Sequence, residues 1–277
     1  MNFNDFLSNC TERQKSLVCA GIDPDVSRLP PHLSAGPEGI LSFCSDIIES
    51  TRHAVAAYKI NFAFFEIFGA DGWRIIETLV RRIPQHIVKI ADAKRGDIGN
   101  TSRKYAEAIL LKMNFDCITV NPYMGSDSVE PFLQWPEKGA IILALTSNKG
   151  SRDLQYLESG PRPLYAHVIA KAKEWNVNKN CGVVVGATHP GQIAAVRESA
   201  PQLPFLIPGI GAQGGSLADA VLSGTDDHGR GALINASRSI LYKSSGKDFA
   251  EAARLEAEKL RDDINEIRRV KWQPRTS

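Results

Sequence analysis

Residues 87–121 read IVKIADAKRGDIGNTSRKYAEAILLKMNFDCITVN. The opening run, Ile87 to Ala93, is short and mostly apolar, the pattern of a strand buried on both faces. Thr101 to Met113 has helical spacing, and Cys117 to Asn121 is a second strand-like run. Strand, helix and strand in that order predict two parallel strands joined by a right-handed crossover.

The alternation continues in both directions. Further strand-like runs are Leu17 to Ile22, Ala54 to Ile60, Ala140 to Thr146, Gly182 to Ala187, Phe205 to Pro208 and Ala232 to Ala236. Helical patterns cover Gly39 to Arg52, Trp73 to Arg82, Leu164 to Trp175 and Gln192 to Ser199. A long amphipathic segment, Asp248 to Val270, offers Phe249, Ala252, Leu255, Leu260, Ile264 and Ile267 on roughly one side. About eight such units predict an α/β fold closed as a (β/α)8 TIM barrel; an open doubly wound sheet is the alternative. The 277 residues suit one barrel, which typically needs ~250. No linker divides them, so 1–277 is expected to be a single catalytic domain. The turn-rich stretch Asn148 to Pro163 reads as a mobile loop over a site.

Bulk properties narrow the function. The net charge is only +2, and the basic residues of Lys259 to Arg269 alternate with acids, so no nucleic-acid footprint is expected. The five cysteines are widely spaced without a CxxC pair, which points to buried thiols rather than zinc or disulfides. Met1 to Cys10 does not read as a signal peptide, and no run approaches the ~20 apolar residues of a membrane helix. A cytoplasmic enzyme acting on a small molecule, with no nucleic-acid or membrane partner, is the expectation.

In such barrels the active site lies at the C-terminal strand ends. Asp92 and Lys94 are two apart, so on a strand both face the same way. Charges pointing into a barrel are expensive unless paired at the mouth of a site. Lys59 on the neighbouring strand could join them, giving an alternating array that Asp97 would extend. An ordinary ion pair at the rim is the alternative. A second signal is the run Gly209 to Gly214 with Gln213, followed on the next strand by Arg238. Close backbone approach and a forked cation suit an anion, and barrels often hold phosphate there; a glycine turn with a surface arginine is the alternative. Thr146 and Ser147 could line the site or cap a turn, and His189 could bond only loop backbone. The histidines form no metal-ligand pattern. Trp73, Trp135 and Trp175 read as packing residues in helical segments.

The stretch Asp92-Ala93-Lys94-Arg95-Gly96-Asp97-Ile98-Gly99-Asn100-Thr101 resembles the signature of orotidine 5′-phosphate decarboxylases. The resemblance runs from Gly21-Ile22-Asp23-Pro24 to Asn235-Ala236-Ser237-Arg238-Ser239-Ile240. Tyr58-Lys59-Ile60-Asn61, Ala63-Phe64-Phe65-Glu66 and Pro208-Gly209-Ile210-Gly211-Ala212-Gln213-Gly214-Gly215 are similar to the longer-chain, type 2 branch. The resemblance implies loss of CO₂ from orotidine 5′-phosphate to give uridine 5′-phosphate, the last step of de novo UMP synthesis, without a cofactor or metal. It implies that Lys94 stabilises and protonates the C6 carbanion and that Asp92 lies beside the substrate carboxylate. It assigns Asp23 and Lys59 to the ribose hydroxyls, Ser147 to the pyrimidine, and Gln213 and Arg238 to the phosphate, with Pro208 also in contact with substrate. Asp97 and Thr101 would reach across a homodimer into the partner's site. Asn61 and Ser237 stand where shorter members commonly have glycine.

Metal-dependent sugar-phosphate decarboxylases or lyases of the same superfamily are the nearest rival. They carry a carboxylate where this chain has Lys59, which would repel the metal. A Schiff-base role for Lys94 needs a lowered pKa, which neighbouring Asp92 and Asp97 oppose. A silent nucleotide-binding barrel is the third reading.

Overall fold

A computed structural model describes residues 1–188, 190–210 and 214–272. Ten strands occur among them: β1 Val18–Ile22, β2 Ala57–Asn61, β3 Val88–Arg95, β4 Cys117–Val120, β5 Gly139–Leu145, β6 Glu158–Ser159, β7 Arg162–Pro163, β8 Cys181–Val185, β9 Phe205–Ile207 and β10 Ala232–Ala236. Eight of these close into a barrel in the order β1-β10-β9-β8-β5-β4-β3-β2, and each neighbouring pair is parallel. The closed alternative prevails over the open sheet because β1 pairs with both β2 and β10.

Strand alternation divides the apolar residues into two layers. Ala20, Ile22, Tyr58, Ile60, Ala91, Ile118, Ile142, Val183 and Ile234 face outward and pack under the helices. Cys19, Ala57, Val88, Ile90, Cys117, Ile141, Val184, Leu206 and Leu233 face inward and fill the barrel. Phe3, Leu7 and Cys10 join this inner cluster from a helix, Phe3–Gln14, that the sequence reading passed over. Their 4- and 3-residue spacing is one helical face. The plug is tight: a Cβ on Gly139 would lie 2.4 Å from the Phe3 ring, so the strand needs glycine there.

The expected helices appear with shifted ends: Pro37–Thr51, Ala70–Arg82, Leu164–Trp175, Pro190–Ser199 and Phe249–Trp272. The segment expected at Thr101 to Met113 is an α-helix over Gly99–Ala106 that widens to π-helix over Glu107–Lys112. The face of the final helix needs correction. Leu255 is exposed, while Phe249, Ala253, Ala257 and Ile264 are buried, with Leu260 and Ile267 packed beside them. The final helix packs on the helix Pro37–Thr51. Trp135 lies beyond the 3₁₀ turn Glu130–Leu133, not in a helix. The stretch expected as a mobile loop holds local structure: a helical turn Ser151–Leu154 and the hairpin β6–β7. All five cysteines are buried and unpaired. No helix among the described residues is long and apolar enough to cross a membrane.

Candidate active site

A cavity of about 330 Å³ opens at the C-terminal ends of the barrel strands. Its charged residues come from adjacent strands. Asp23 follows β1, Lys59 lies in β2, and Asp92 and Lys94 both lie in β3. Lys59 Nζ donates to Asp92 Oδ2 at 2.7 Å and stands 3.6 Å from Asp23 Oδ1. Lys94 Nζ donates to Asp92 Oδ1 at 2.6 Å. The result is a continuous line of alternating charge, minus, plus, minus, plus, across three strands.

Lys59 and Asp92 are buried, whereas the Lys94 side chain is half exposed and faces the open cavity. Burial pushes the Asp92 carboxyl up, but the ammonium groups of Lys59 and Lys94 and their hydrogen bonds outweigh it and hold it down at about 2. Burial likewise pushes Lys59 down, and the carboxylates of Asp23 and Asp92 more than reverse this, so Lys59 stays charged well above its ordinary range. Both Asp92 oxygens are taken by ammonium groups. Among the described residues no group of three or more His, Cys, Asp or Glu side chains could hold a metal ion.

A break in the β3–β4 ladder makes this geometry. Ala91 pairs with Ile118 and Arg95 with Val120, so Asp92, Ala93 and Lys94 stand opposite Thr119 alone. Lys94 takes a left-handed conformation, φ +47°, unusual for a side-chain-bearing residue. Its N–H donates to Thr119 Oγ1 at 3.0 Å, and Thr119 Oγ1 donates to Asp92 Oδ1 at 3.1 Å. Arg95 points away and pairs with Glu66 at 2.5 Å, tying the strand end to the segment after β2.

Ser147, Pro208 and Arg238 line the same cavity, with Asn61, Thr146, Asn148, Asn235 and Ser237. Ser147 sits close over β8: a Cβ on Gly186 would lie 2.7 Å from the Ser147 backbone nitrogen. Arg238 opens a helical turn, Arg238–Leu241, directly after β10. Its side chain is exposed, and it shares the cavity lining with Pro208 and Gly209.

The chain matches the family described as orotidine 5′-phosphate decarboxylase / HUMPS over residues 16–254. It belongs to that family. The orotidine 5′-phosphate decarboxylase of Dehalococcoides mccartyi (strain CBDB1) is 48% identical over 273 residues, 97% of this chain and 99% of the relative. That of Azoarcus sp. (strain BH72) is 45% identical over 272 residues, 97% of this chain and all of the relative. The structure of Leishmania donovani OMP decarboxylase superimposes with a TM-score of 0.86 at 43% identity, covering 97% of this chain and 99% of that one.

Of the residues expected in a family site, Asp23, Lys59, Asp92, Lys94, Ser147, Pro208 and Arg238 come together in this cavity. Asp97 and Thr101 do not line it. Asp97 accepts a hydrogen bond from the N–H of Ile98 at 2.7 Å, and Thr101 is exposed on the following helix. Gln213 and His189 lie outside the described residues. Thr119 and Tyr242 escaped the sequence reading. Thr119 follows Cys117 by two, so strand alternation alone turns it inward. The Tyr242 hydroxyl accepts from the Asp25 N–H at 2.6 Å and donates to the Asp23 carbonyl at 3.3 Å, fixing the loop that carries Asp23. Tyr242 had no signal in the sequence, because its partner lies 217 residues away.

Proposed function

We propose that this protein decarboxylates orotidine 5′-phosphate to uridine 5′-phosphate and CO₂, with no cofactor. The observation that carries the proposal is the Asp23–Lys59–Asp92–Lys94 array, whose single half-exposed ammonium, Lys94, faces the cavity.

The C6–CO₂⁻ bond breaks with its electron pair left on C6, and CO₂ departs. The Lys94 ammonium, fixed by Asp92, stabilises that pair and then gives C6 its proton. Asp92 is an anion throughout the working pH range, so a substrate carboxylate set beside it is repelled, and its departure relieves the repulsion. Lys59 keeps Asp92 charged by offsetting its burial. Lys59 and Asp23 bind the ribose, Ser147 the pyrimidine, and Arg238 with backbone near Pro208 the phosphate; the family resemblance adds Gln213 to the phosphate ligands. Phosphate is remote from C6, so its binding energy can order loops and exclude water around the reacting atoms. The segment Asn148 to Pro163 is the lid in this reading.

The working unit in this proposal is a homodimer. Asp97 and Thr101 stand outside their own cavity, and the loops after the adjacent strands β3 and β4 carry the exposed apolar side chains Ile98, Tyr123 and Met124. That placement supports a role in the partner's site. The buried, unpaired cysteines fit a reducing, cytoplasmic setting.

The test compares orotidine 5′-phosphate with orotidine, following loss of the pyrimidine absorbance. Turnover of the nucleotide with far weaker turnover of the nucleoside supports the proposal. No turnover of either by the folded protein overturns it.

A further inference from the structure

We infer that Thr119 is a positioning residue for the decarboxylation, holding Lys94 and Asp92 in their reactive arrangement through one hydroxyl. The inference rests on the proposed decarboxylase reading.

Three observations support it. First, the β3–β4 ladder skips at this point: three residues of β3 face one residue of β4. The skip is what places two charged side chains of β3 at the mouth of the cavity, and it takes the Lys94 N–H out of the regular ladder. An N–H even partly shielded from water is costly to leave without a partner, and the fold supplies one. Second, the Thr119 hydroxyl supplies it at 3.0 Å. Lys94 holds a left-handed backbone that only surrounding structure can impose on a lysine, and this bond anchors it. Third, the same hydroxyl spends its proton on Asp92 Oδ1, 3.1 Å away, the oxygen that also takes Lys94 Nζ. One side chain therefore fixes both ends of the Lys94–Asp92 pair, its backbone through the N–H and its ammonium through the shared carboxylate oxygen. Thr119 is 1% exposed, so water cannot take over either bond without rearrangement.

Valine matches threonine in shape and removes both bonds. Thr119→Val should lower kcat by about 10- to 100-fold, the range for losing hydrogen bonds to charged or strained groups. KM for orotidine 5′-phosphate should change by no more than about 3-fold, because ribose and phosphate contacts remain. Thr119→Ser keeps the hydroxyl and should retain kcat within about 3-fold. If Thr119→Val fails to fold, Thr119→Ser and Thr119→Cys give the same comparison, since they are similar in size and differ in hydrogen-bonding power. Serine active and cysteine impaired in kcat supports the inference. Equal kcat for wild type and the valine or cysteine variant overturns it, as does a loss that falls on KM alone. Wild-type protein run in parallel separates the two ideas: no wild-type turnover sinks the decarboxylase reading, whereas normal wild-type turnover with indifferent variants sinks only the role of Thr119.

Discussion

Replacing Lys94 by glycine and by alanine separates what this residue does for chemistry from what it costs the fold. Both variants lose the ammonium, so both should lose decarboxylation to the limit of detection. Their stabilities should differ in a direction opposite to the usual one. In an ordinary strand, alanine is more stable than glycine by roughly 0.5–1 kcal/mol, because glycine has more freedom to lose on folding. At φ +47° the Cβ of alanine instead meets the backbone, at ~1–2 kcal/mol. After subtracting glycine's entropy, Lys94→Gly should be the more stable by about 1 kcal/mol. Losing the Lys94 charge itself should cost little, about 1 kcal/mol or less, since its side chain is 51% exposed. Urea unfolding at equal protein concentration reads the difference, with CO₂ release as the activity assay. Alanine as stable as glycine, or more so, would refute the left-handed backbone at Lys94. Measurable turnover by either would refute its place in the chemistry.

Asp92 should make stability sensitive to acid. Its folded pKa, about 2, lies below the ordinary 3.8, so at neutral pH it contributes roughly 2 kcal/mol. That contribution is complete above pH 3.8 and fades as pH falls through 2; the stability gap between wild type and Asp92→Asn should narrow over that interval, and a constant gap would contradict the ion pairing. Mixing inactive Lys94→Ala and Asp97→Ala proteins should restore activity, because one site of the mixed dimer is whole; no recovery once subunit exchange is demonstrated removes the shared site. Arg238→Ala should weaken orotidine 5′-phosphate far more than orotidine, and equal losses would end the phosphate assignment. Arg197→Met should destabilise by about 3 kcal/mol or more, since its guanidinium, buried against Phe205, donates to the carbonyls of Ala200, Pro201, Leu203, Gly224 and Gly231; unchanged urea midpoints would show those carbonyls to be satisfied otherwise.

The barrel was legible because buried parallel strands announce themselves as apolar runs, and Phe205 or Ala232 begin their strands where the pattern starts. The pairing of Asp92 with Lys94 was legible from their two-residue spacing, and that of Lys59 from its position on the preceding strand. The reason they fit was not. Strict alternation leaves φ negative, and only the skip opposite Thr119, a property of two strands together, turns Lys94 left-handed. The face of the last helix was misjudged at Leu255 because helical spacing there allows two neighbouring stripes, and the buried one carries the small Ala253 and Ala257. Phe3 and Leu7 were passed over because few apolar side chains mark the buried face of a largely polar segment, although its packing closes the barrel. Asp97 and Thr101 carry no geometric signal within one chain, since the role proposed for them belongs to the neighbouring subunit.

In the proposed reaction a protein-borne line of charge, with no metal or cofactor, removes the carboxylate. The most direct measurement is CO₂ release from orotidine 5′-phosphate by the purified wild-type protein in excess chelator. Stoichiometric CO₂ and uridine 5′-phosphate are expected, at a rate the chelator does not change. Turnover that chelator abolishes and added divalent metal restores would contradict this expectation.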